Sequence, residues 1–419
     1  MSRLRCCGAL LQGLVTIVLL LFTAVAAFAA GFATSVWMDS RTPLQPRSTP
    51  VFSLASPTPS SETNTEQETF QLFWEVWHLV EQNYYGQLPD EQTVTYGAIR
   101  GMLETLGDDY TSFIEPQAAA IIEEDASGTF EGIGAFVRMR DDGRLEISGV
   151  ISGQPAEQAG LRAGDVVLAV DGQSIAGYGI YEAIALIRGP AGSQVTLLIE
   201  RSEDEETRAF EVTVTRARVE IPLVEARMLE DNVAYIRLTE FSSTASDQMR
   251  RELEGLLAQN PVGLIFDLRG NPGGWLEQAV EVSDLFLDNG VVLIQRSNDG
   301  GEQVYRSRDG DLTESVPLVV LINGGSASAS EIVAGAVQAR GRGILIGEQS
   351  FGKGSVQQPF RLSDGSELRV TVARWYTPAD VAIHGQGLTP DIVVPWPEET
   401  AAGEDPQIER ARQYLLSGE

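Results

Sequence analysis

A candidate chemical motif in the sequence is GEQSFGKGS, which runs from Gly347 to Ser355 directly after the apolar residues 344–346. It nearly matches G-x-x-x-x-G-K, the loop that wraps nucleotide phosphates. The residue after Lys353 is Gly354, however, where such a loop needs Ser or Thr to bind magnesium. The next residues, SVQQPF, predict an extended segment instead of the helix whose N-terminus would hold phosphates. The match is therefore accidental, and Lys353 needs another role.

A lysine can act as a general base when burial keeps it neutral, because removal from water lowers the pKa of its ammonium group. A neutral lysine could then take the proton of a hydroxyl nucleophile. Histidine is a poor alternative, since the chain has only two: His78 in a predicted helix and His384 in the Gly-rich stretch AIHGQGLTPD. A Ser-His-Asp triad is thus not expected.

Three serines in LINGGSASASEIVAGAVQ are candidate nucleophiles: Ser326, Ser328 and Ser330. An apolar strand runs into two glycines, and the serines then open a predicted helix from 330 to 338. A serine at a strand-to-helix turn exposes its hydroxyl, and the helix N-terminus favours negative charge. Ser330, followed by Glu331, is expected to cap the helix. The residue pattern alone does not choose between Ser326 and Ser328.

The elements around these motifs alternate between apolar strands and helices. Strands are predicted at 233–238, 262–268, 316–322, 343–347 and 368–376, and helices at 246–257, 330–338 and 405–415. Repeated strand–helix–strand units predict an α/β fold with a largely parallel sheet.

Residues 128–218 show a different pattern, short strands separated by turns. GIGAFVRMR and RLEISGVI, joined by DDG, predict two paired strands, and a helix is expected near 180–187. GIGAFV and GQPAEQAGLRAGDVVLAVDG resemble the carboxylate-binding loop and the most recognisable stretch of a PDZ domain. The resemblance implies that backbone N–H groups bind a free C-terminal carboxylate while the peptide adds as a strand. The candidate peptide-binding residues are Gly132, Ile133, Gly134, Ala135 and Phe136.

The N-terminus predicts export. Arg3 and Arg5 precede a stretch from Cys6 to Met38 without a charged residue, long enough for the ~20 residues of a membrane-spanning helix. Because a basic flank stays inside, we expect a single N-terminal anchor that leaves the rest of the chain extracytoplasmic. The alternative is a cleaved signal sequence and a secreted protein.

Composition limits the partners. The 419 residues carry a formal charge of -29, which disfavours nucleic acid because its phosphates would be repelled. Both cysteines lie in the N-terminal apolar stretch, so the folded part has neither a disulfide nor a thiolate metal site. Asp108 and Asp109 in DDYTSF could be metal ligands, but a solvated turn or a cap is the interpretation we favour.

The segments DLRGNPGG, NGGSASASE and GEQSFGKGSVQQPF, in this order after a PDZ-like region, resemble the C-terminal processing (tail-specific) proteases. The resemblance runs from the helices near Phe70 to the closing helix. It implies a crotonase/ClpP-like βαβ catalytic core with an inserted PDZ domain, and peptide hydrolysis by a serine–lysine dyad with no cofactor or metal. The matching catalytic residues are Ser328, Lys353 and Gln357, of which the glutamine positions the lysine.

The oxyanion hole of such an enzyme needs two N–H donors. We expect one from Ala329, directly after the nucleophile, and one from the glycine turn Asn271–Gly274, where Gly273 is the preferred residue. One departure from the family lies after RWYTP, where Ala379-Asp380-Val381 replaces a Gly-containing turn.

The expected domains are an anchor or signal (1–39), a Ser/Thr/Pro-rich linker (40–67), a helical segment (68–127), a PDZ domain (128–218) and an α/β protease core with a C-terminal helix (219–419). The implied activity is a serine endopeptidase that captures free, apolar C-terminal tails of exported or membrane proteins. Its partners are such polypeptides and the membrane, with an adaptor or a second copy as a further candidate. The alternatives are a non-catalytic PDZ scaffold and a crotonase-like acyl-CoA enzyme.

Overall fold

The structure is a computed structural model, and it describes residues 63–203, 206–309, 312–397 and 404–418. The expected anchor, 1–39, and nearly all of the linker lie outside these residues. Of the helices within the described ranges, none is long and apolar enough to cross a membrane. The chain divides into two compact units, residues 1–88 and 89–419.

The described part of the first unit contains the helix α1 (Thr63–Asn83). The predicted apolar stripe from Phe70 onward lies on this helix. Its large apolar side chains are exposed, including Trp74 at 53% of its surface. His78 also lies on α1 and is exposed.

The second unit contains all the other described elements. Its helices are α2 (Glu91–Glu104), α3 (Pro116–Ala126), α4 (Pro155–Gln158), α5 (Ile180–Ile187), α6 (Ala245–Leu257), α7 (Leu276–Asp284), α8 (Ala329–Ala339) and α9 (Pro406–Ser417). The strands in the first part of this unit, up to residue 220, are β1 (Ser112–Ile114), β2 (Thr129–Gly132), β3 (Ala135–Met139), β4 (Leu145–Val150), β5 (Val166–Val170), β6 (Gln173–Ser174), β7 (Gln194–Glu203), β8 (Glu206–Thr215) and β9 (Ala217–Glu220). The remaining strands are β10 (Val224–Met228), β11 (Val233–Leu238), β12 (Gly263–Asp267), β13 (Gly290–Ser297), β14 (Glu302–Ser307), β15 (Leu318–Ile322), β16 (Ile344–Gly347), β17 (Ser355–Arg361), β18 (Glu367–Tyr376) and β19 (Ile392–Val393).

The central sheet has the order β10-β11-β12-β15-β16-β19. All its pairs are parallel except β10 with β11. Strands β12 and β15 are buried along their whole length, which explains their uninterrupted apolar sequences. Helices α6, α7 and α8 cover one face in a single apolar core, while α9 packs on the other. The predicted α/β fold with a largely parallel sheet is confirmed.

A separate antiparallel sheet, β3-β4-β5-β7-β8 with β6 beside β5, surrounds its own core. The predicted pairing of GIGAFVRMR with RLEISGVI is the β3–β4 pair. Strand β3 lies at the edge of this sheet. Its unpaired side is therefore available for an added strand.

A third sheet is antiparallel and has the order β1-β18-β13-β14, with β17 also paired to β18. The sequence pattern indicated β17 and β18 but not the short strand β1 or the hairpin β13–β14. In the turn after β18, Asp380 takes a φ of 61°, a conformation that glycine adopts more easily. Asp380 therefore takes a glycine-like conformation in the turn where the sequence departs from the expected glycine.

Candidate active site

Three loops meet at one edge of the central sheet. They follow β12, β15 and β16, which are adjacent parallel strands, so their carboxyl ends lie together. This edge is where α/β sheets place ligands. The loops carry the glycine turn, the three serines and Lys353, respectively.

The three serines differ in what their hydroxyl groups do. Ser326 is buried and donates to Leu268 O at 2.8 Å. Ser330 is also buried and donates to Asn271 O at 2.9 Å. These two hydroxyls therefore tie the serine loop to the glycine turn. Ser328 lies between them and is only half-buried, so its hydroxyl is the one that a substrate can reach.

The backbone of Ser328 is strained. Its φ of 52° and ψ of -112° lie outside the regions that a non-glycine residue prefers, at a typical cost of about 1–3 kcal/mol. Such a turn directly before a helix presents the side chain outward, as in the nucleophile turns of α/β-hydrolases. The helix begins at Ala329 with Ser328 as its N-cap residue. The prediction that Ser330 caps this helix is therefore wrong, because its hydroxyl points to the glycine turn.

Glu331 holds the serine turn and the lysine loop together. The carboxylate is 1% exposed. Oε2 accepts the backbone N–H of Ser328 and that of Lys353, both at 2.9 Å. Oε1 accepts Ser350 Oγ at 2.6 Å and Gly352 N–H at 2.7 Å. Sequence reasoning gave Glu331 only a capping role. The sequence signal for a further role was its place on a helix that is otherwise almost entirely apolar. A carboxylate buried on such a helix needs partners, because an unpaired buried charge is costly.

Within the described residues, Lys353 is hydrogen-bonded through its backbone and not through its side-chain nitrogen. Its carbonyl accepts Trp375 Nε1–H at 3.2 Å, in addition to the Glu331 bond at its N–H. No described residue gives Nζ a hydrogen bond or an ion pair, and none joins it to Ser328 Oγ. Burial lowers the pKa of Lys353, and the nearby charge of Arg369 lowers it further. Both effects favour the neutral amine that a general base requires.

Lys353 is the only lysine among the 419 residues, and the other 29 basic residues are arginines. Arginine stays protonated at any physiological pH and cannot serve as a base. This count is a second sequence signal for a special role at position 353.

Gln357 lies on β17. Its Nε2 donates to Ser355 Oγ at 2.9 Å and to Thr371 Oγ1 at 3.1 Å. Its hydrogen bonds within the described ranges thus go to strand neighbours and not to Lys353. The role expected for Gln357 as a lysine-positioning residue stays a prediction.

The glycine turn packs closely on Ser328. Gly273 has a φ of 107°, and a Cβ added there would lie 2.8 Å from Ser328 Cβ and 3.0 Å from Ala329 N. Gly273 N–H, however, donates to Asn271 Oδ1 at 2.9 Å. The N–H groups of Gly274 and Ala329 donate to no described residue. The amides of Ala329 and Gly274 are therefore unengaged among the described residues, and Gly273 supplies the close approach. The oxyanion-hole roles expected for Ala329 and Gly273 stay predictions.

A buried ion network supports the same turn. Arg269 donates to both oxygens of Asp267 and also to Asp405 and Gln407 on the C-terminal helix side. Tyr235 Oη donates to Asp267 at 2.8 Å. Burial, together with the charge of Asp267, raises the pKa of Tyr235, so it remains a neutral donor. Arg269 directly precedes Gly270, so this network fixes the start of the glycine turn.

The PDZ-like sheet offers the features expected for tail binding. The N–H groups of Ile133 and Gly134, at the entry to β3, donate to no described residue. Ala135 packs toward the PDZ core, and Phe136 faces the other way with 45% of its surface exposed. Gly132 is the last residue of β2. A peptide carboxylate at these amides would place its strand along the open edge of β3.

Asp108 and His384, two further residues considered in the sequence analysis, lie close to Tyr110. Asp108 accepts Tyr110 N–H and Thr111 Oγ1–H, which makes a turn as expected. His384 contacts the ring of Tyr110. Within the described ranges, no three His, Cys, Asp or Glu side chains come together as a metal site.

Three family models match the chain. Residues 232–394 match peptidase family S41, residues 146–201 match the PDZ domain, and residues 25–118 match the activating protease CtpB N-terminal domain.

Known proteins are similar over most of the chain. A carboxy-terminal-processing protease of Bartonella bacilliformis is 37% identical over 350 residues, covering 81% of this chain and 79% of that one. A carboxyl-terminal-processing protease of Synechocystis sp. is 34% identical over 387 residues, covering 86% and 90%. Among solved structures, the photosystem II D1 C-terminal processing protease is 33% identical, with a TM-score of 0.47, and the match covers 76% of this chain and 86% of that one.

Proposed function

Because the chain belongs to the carboxy-terminal processing proteases of peptidase family S41, which are PDZ-containing serine proteases, we propose that it cleaves polypeptides with a Ser328–Lys353 dyad. The observation that carries this proposal is the Glu331 carboxylate. It binds the backbone N–H of both dyad residues and so fixes the two loops relative to each other.

The reaction proceeds through an acyl-enzyme. Ser328 Oγ attacks the scissile carbonyl carbon while its proton passes to neutral Lys353 Nζ. The tetrahedral oxyanion is bound by the amides of Ala329 and the glycine turn, for which Gly274 is the unengaged donor. The lysine ammonium then protonates the leaving amine nitrogen, and the C–N bond breaks. Water attacks the remaining ester, its proton goes to Lys353, and Oγ regains a proton as the acid product leaves.

The PDZ domain, which we assign to residues 128–218, selects substrates by a free and apolar C-terminus. The unengaged amides of Ile133 and Gly134 suit a carboxylate, and the open edge of β3 suits an extended tail. The substrate class is therefore exported or membrane proteins with accessible C-terminal tails. The charge-free stretch from Cys6 to Met38 supports a place on the outer side of the membrane, held by residues 1–39.

The test compares one unstructured peptide with an apolar C-terminus as its free acid and as its C-terminal amide. The full chain should cleave the free acid faster, and both Ser328→Ala and Lys353→Ala should abolish cleavage. Ser315→Ala, at an exposed serine in the loop before β15, is the matched control and should cleave as wild type does. Binding of the free acid without cleavage by wild type would favour the scaffold alternative, and equal cleavage of acid and amide would contradict tail recognition.

A further inference from the structure

The motif DDYTSF, which the mechanism above does not use, places an aromatic ring against the catalytic lysine. The centroid of the Tyr110 ring is 5.3 Å from Lys353 Nζ, within the range of a cation–π contact. The other contact of this ring is with His384, whose ring meets it at a centroid distance of 5.8 Å and an angle of 67°. The lysine tip, the tyrosine ring and the histidine ring therefore form one cluster.

The turn that carries Tyr110 is held in place by hydrogen bonds. Asp108 accepts the backbone N–H of Tyr110 at 3.2 Å and the hydroxyl of Thr111 at 2.6 Å. Thr111 Oγ1 in turn accepts the N–H of Thr371 on β18 at 3.1 Å. The chain then continues into β1, which pairs with β18. The turn is thus fixed to the sheet that contains β17, the strand that directly follows the lysine loop.

The hydrogen bonds of Lys353 to described residues, by contrast, are all made by its backbone. Its N–H is bound by Glu331 and its carbonyl by Trp375, so movement of Nζ requires side-chain rotations alone. Such rotations are fast compared with loop motion.

We propose that Tyr110 is a positioning residue for Lys353: its ring face holds the ammonium group away from Ser328 in the resting enzyme, and the dyad assembles when Nζ leaves the ring. This inference rests on the proposed role of Lys353 as the general base. It assigns a function to the 108–111 turn beyond that of a simple chain reversal.

The ring face is a group in direct contact with Nζ that favours its ammonium form. Burial lowers the pKa of Lys353, and Arg369 lowers it further. Burial raises the pKa of Tyr110, so the ring stays a neutral phenol. Burial also lowers the pKa of His384, which therefore adds no positive charge at neutral pH. The charged or titratable groups that face the cluster are Asp108, Asp109, Glu331, Arg369, Arg374 and His384.

The chain offers a direct readout, because Lys353 is its only lysine. Protein grown with lysine labelled with ¹³C at Cε gives a single side-chain NMR signal, whose titration reports the pKa of Lys353 in the resting enzyme. The same proteins are assayed for kcat/KM against pH, which reports the essential base of the free enzyme.

The informative pair is Tyr110→Phe and Tyr110→Leu in the full chain. Phe keeps the ring face, so the titration and the acid limb of kcat/KM should match those of wild type. Leu removes the ring, so both should move to lower pH by about 0.4 to 1.5 units, the size of a cation–π contact. If Leu prevents folding, a phenylalanine with a fluorinated ring at position 110 keeps the shape, weakens the ring's negative face and should give a smaller shift in the same direction.

Identical titrations of the Phe and Leu variants would overturn the proposal, whether both match wild type or both shift. Equal shifts would assign the effect to the hydroxyl instead of the ring. The proposed function is tested separately with Lys353→Ala. If that variant cleaves as wild type does, the general-base role itself is wrong. If Lys353→Ala is inactive but Lys353 titrates in Tyr110→Leu as it does in wild type, only the role of the ring is refuted.

Discussion

Glu331→Gln is the substitution that tests the structural reasoning most directly. The carboxylate accepts four hydrogen bonds, two at each oxygen, in a site from which solvent is excluded. A glutamine keeps one acceptor oxygen and introduces an NH₂ group. Its best arrangement leaves the oxygen on the N–H groups of Ser328 and Lys353. The NH₂ then faces Ser350 Oγ, which can rotate to accept it, and Gly352 N–H, which cannot.

The cost follows from this arrangement. One buried amide loses its acceptor, which costs about 1–3 kcal/mol. The two retained bonds lose their charge assistance, at about 1 kcal/mol each. The free energy of unfolding should therefore fall by about 3–5 kcal/mol. Because the strained Ser328 turn is held less tightly, kcat should fall by about 10- to 100-fold, the equivalent of 1.4–2.7 kcal/mol. KM should change little, since the PDZ edge is untouched.

Urea unfolding and peptide cleavage measure the two effects. Glu254→Gln is the matched control, because Glu254 is exposed on α6, and it should change stability by less than about 0.5 kcal/mol. Glu331→Ala, which leaves all four donors without an acceptor, should be worse than Gln in both measurements. If Glu331→Gln equals the Glu254→Gln control in stability and in kcat, the carboxylate does not join the two loops and the reasoning is refuted.

Three other substitutions follow from the same site. Lys353→Met should raise Tm at pH 7, because burial lowers the pKa of Lys353 in the folded chain. Between the folded and the unfolded pKa the folded chain binds fewer protons, so the stability of the wild type rises with pH in that window. The difference in Tm between Lys353→Met and wild type should therefore shrink in thermal melts as pH approaches about 10.4. Arg269→Met leaves Asp267, whose side chain is 2% exposed, without its cation, and urea unfolding should show a loss of about 3–5 kcal/mol. Gly273→Ala should abolish cleavage, because the added Cβ would lie 2.8 Å from Ala327 O and from Ser328 Cβ. The control Gly255→Ala has open space at its Cβ and should cleave normally. Full activity of Gly273→Ala would contradict the close packing of the turn on Ser328.

The parts of the fold that the sequence predicted are those with a strong local pattern. β12 and β15 are buried on both faces, so their apolar runs are continuous and easily recognised. The hairpin β13–β14 was missed because its burial is partial and irregular along both strands. β1 has only three residues and is defined by its partner β18 across more than 250 positions of the chain. No local pattern can encode a strand of that kind.

The site divides in the same way. Residue types and spacing indicated Lys353 and a set of three serines, but the choice of Ser328 depends on where neighbouring hydroxyls point. Ser326 and Ser330 bind carbonyls of a loop more than 50 residues earlier, and only the folded chain brings that loop into contact. The engaged amide of Gly273 is likewise set by the side chain of Asn271, which a glycine pattern does not reveal.

The use of basic residues carries an independent argument for the dyad. Buried or half-buried ion pairs in the described chain, such as those of Arg188, Arg201 and Arg269, use the guanidinium group, which forms several directed hydrogen bonds and keeps its charge in low dielectric. A base must do the opposite and lose its proton on burial. Lysine can, because its pKa falls when it is desolvated, and arginine cannot. A chain that uses arginine at 29 positions and lysine at one therefore has its lysine at the position where the proposed mechanism requires deprotonation. Lys353→Arg, which keeps the charge but removes the titration, should be as inactive as Lys353→Ala in peptide cleavage, and measurable activity of the Arg variant would show that charge alone suffices there.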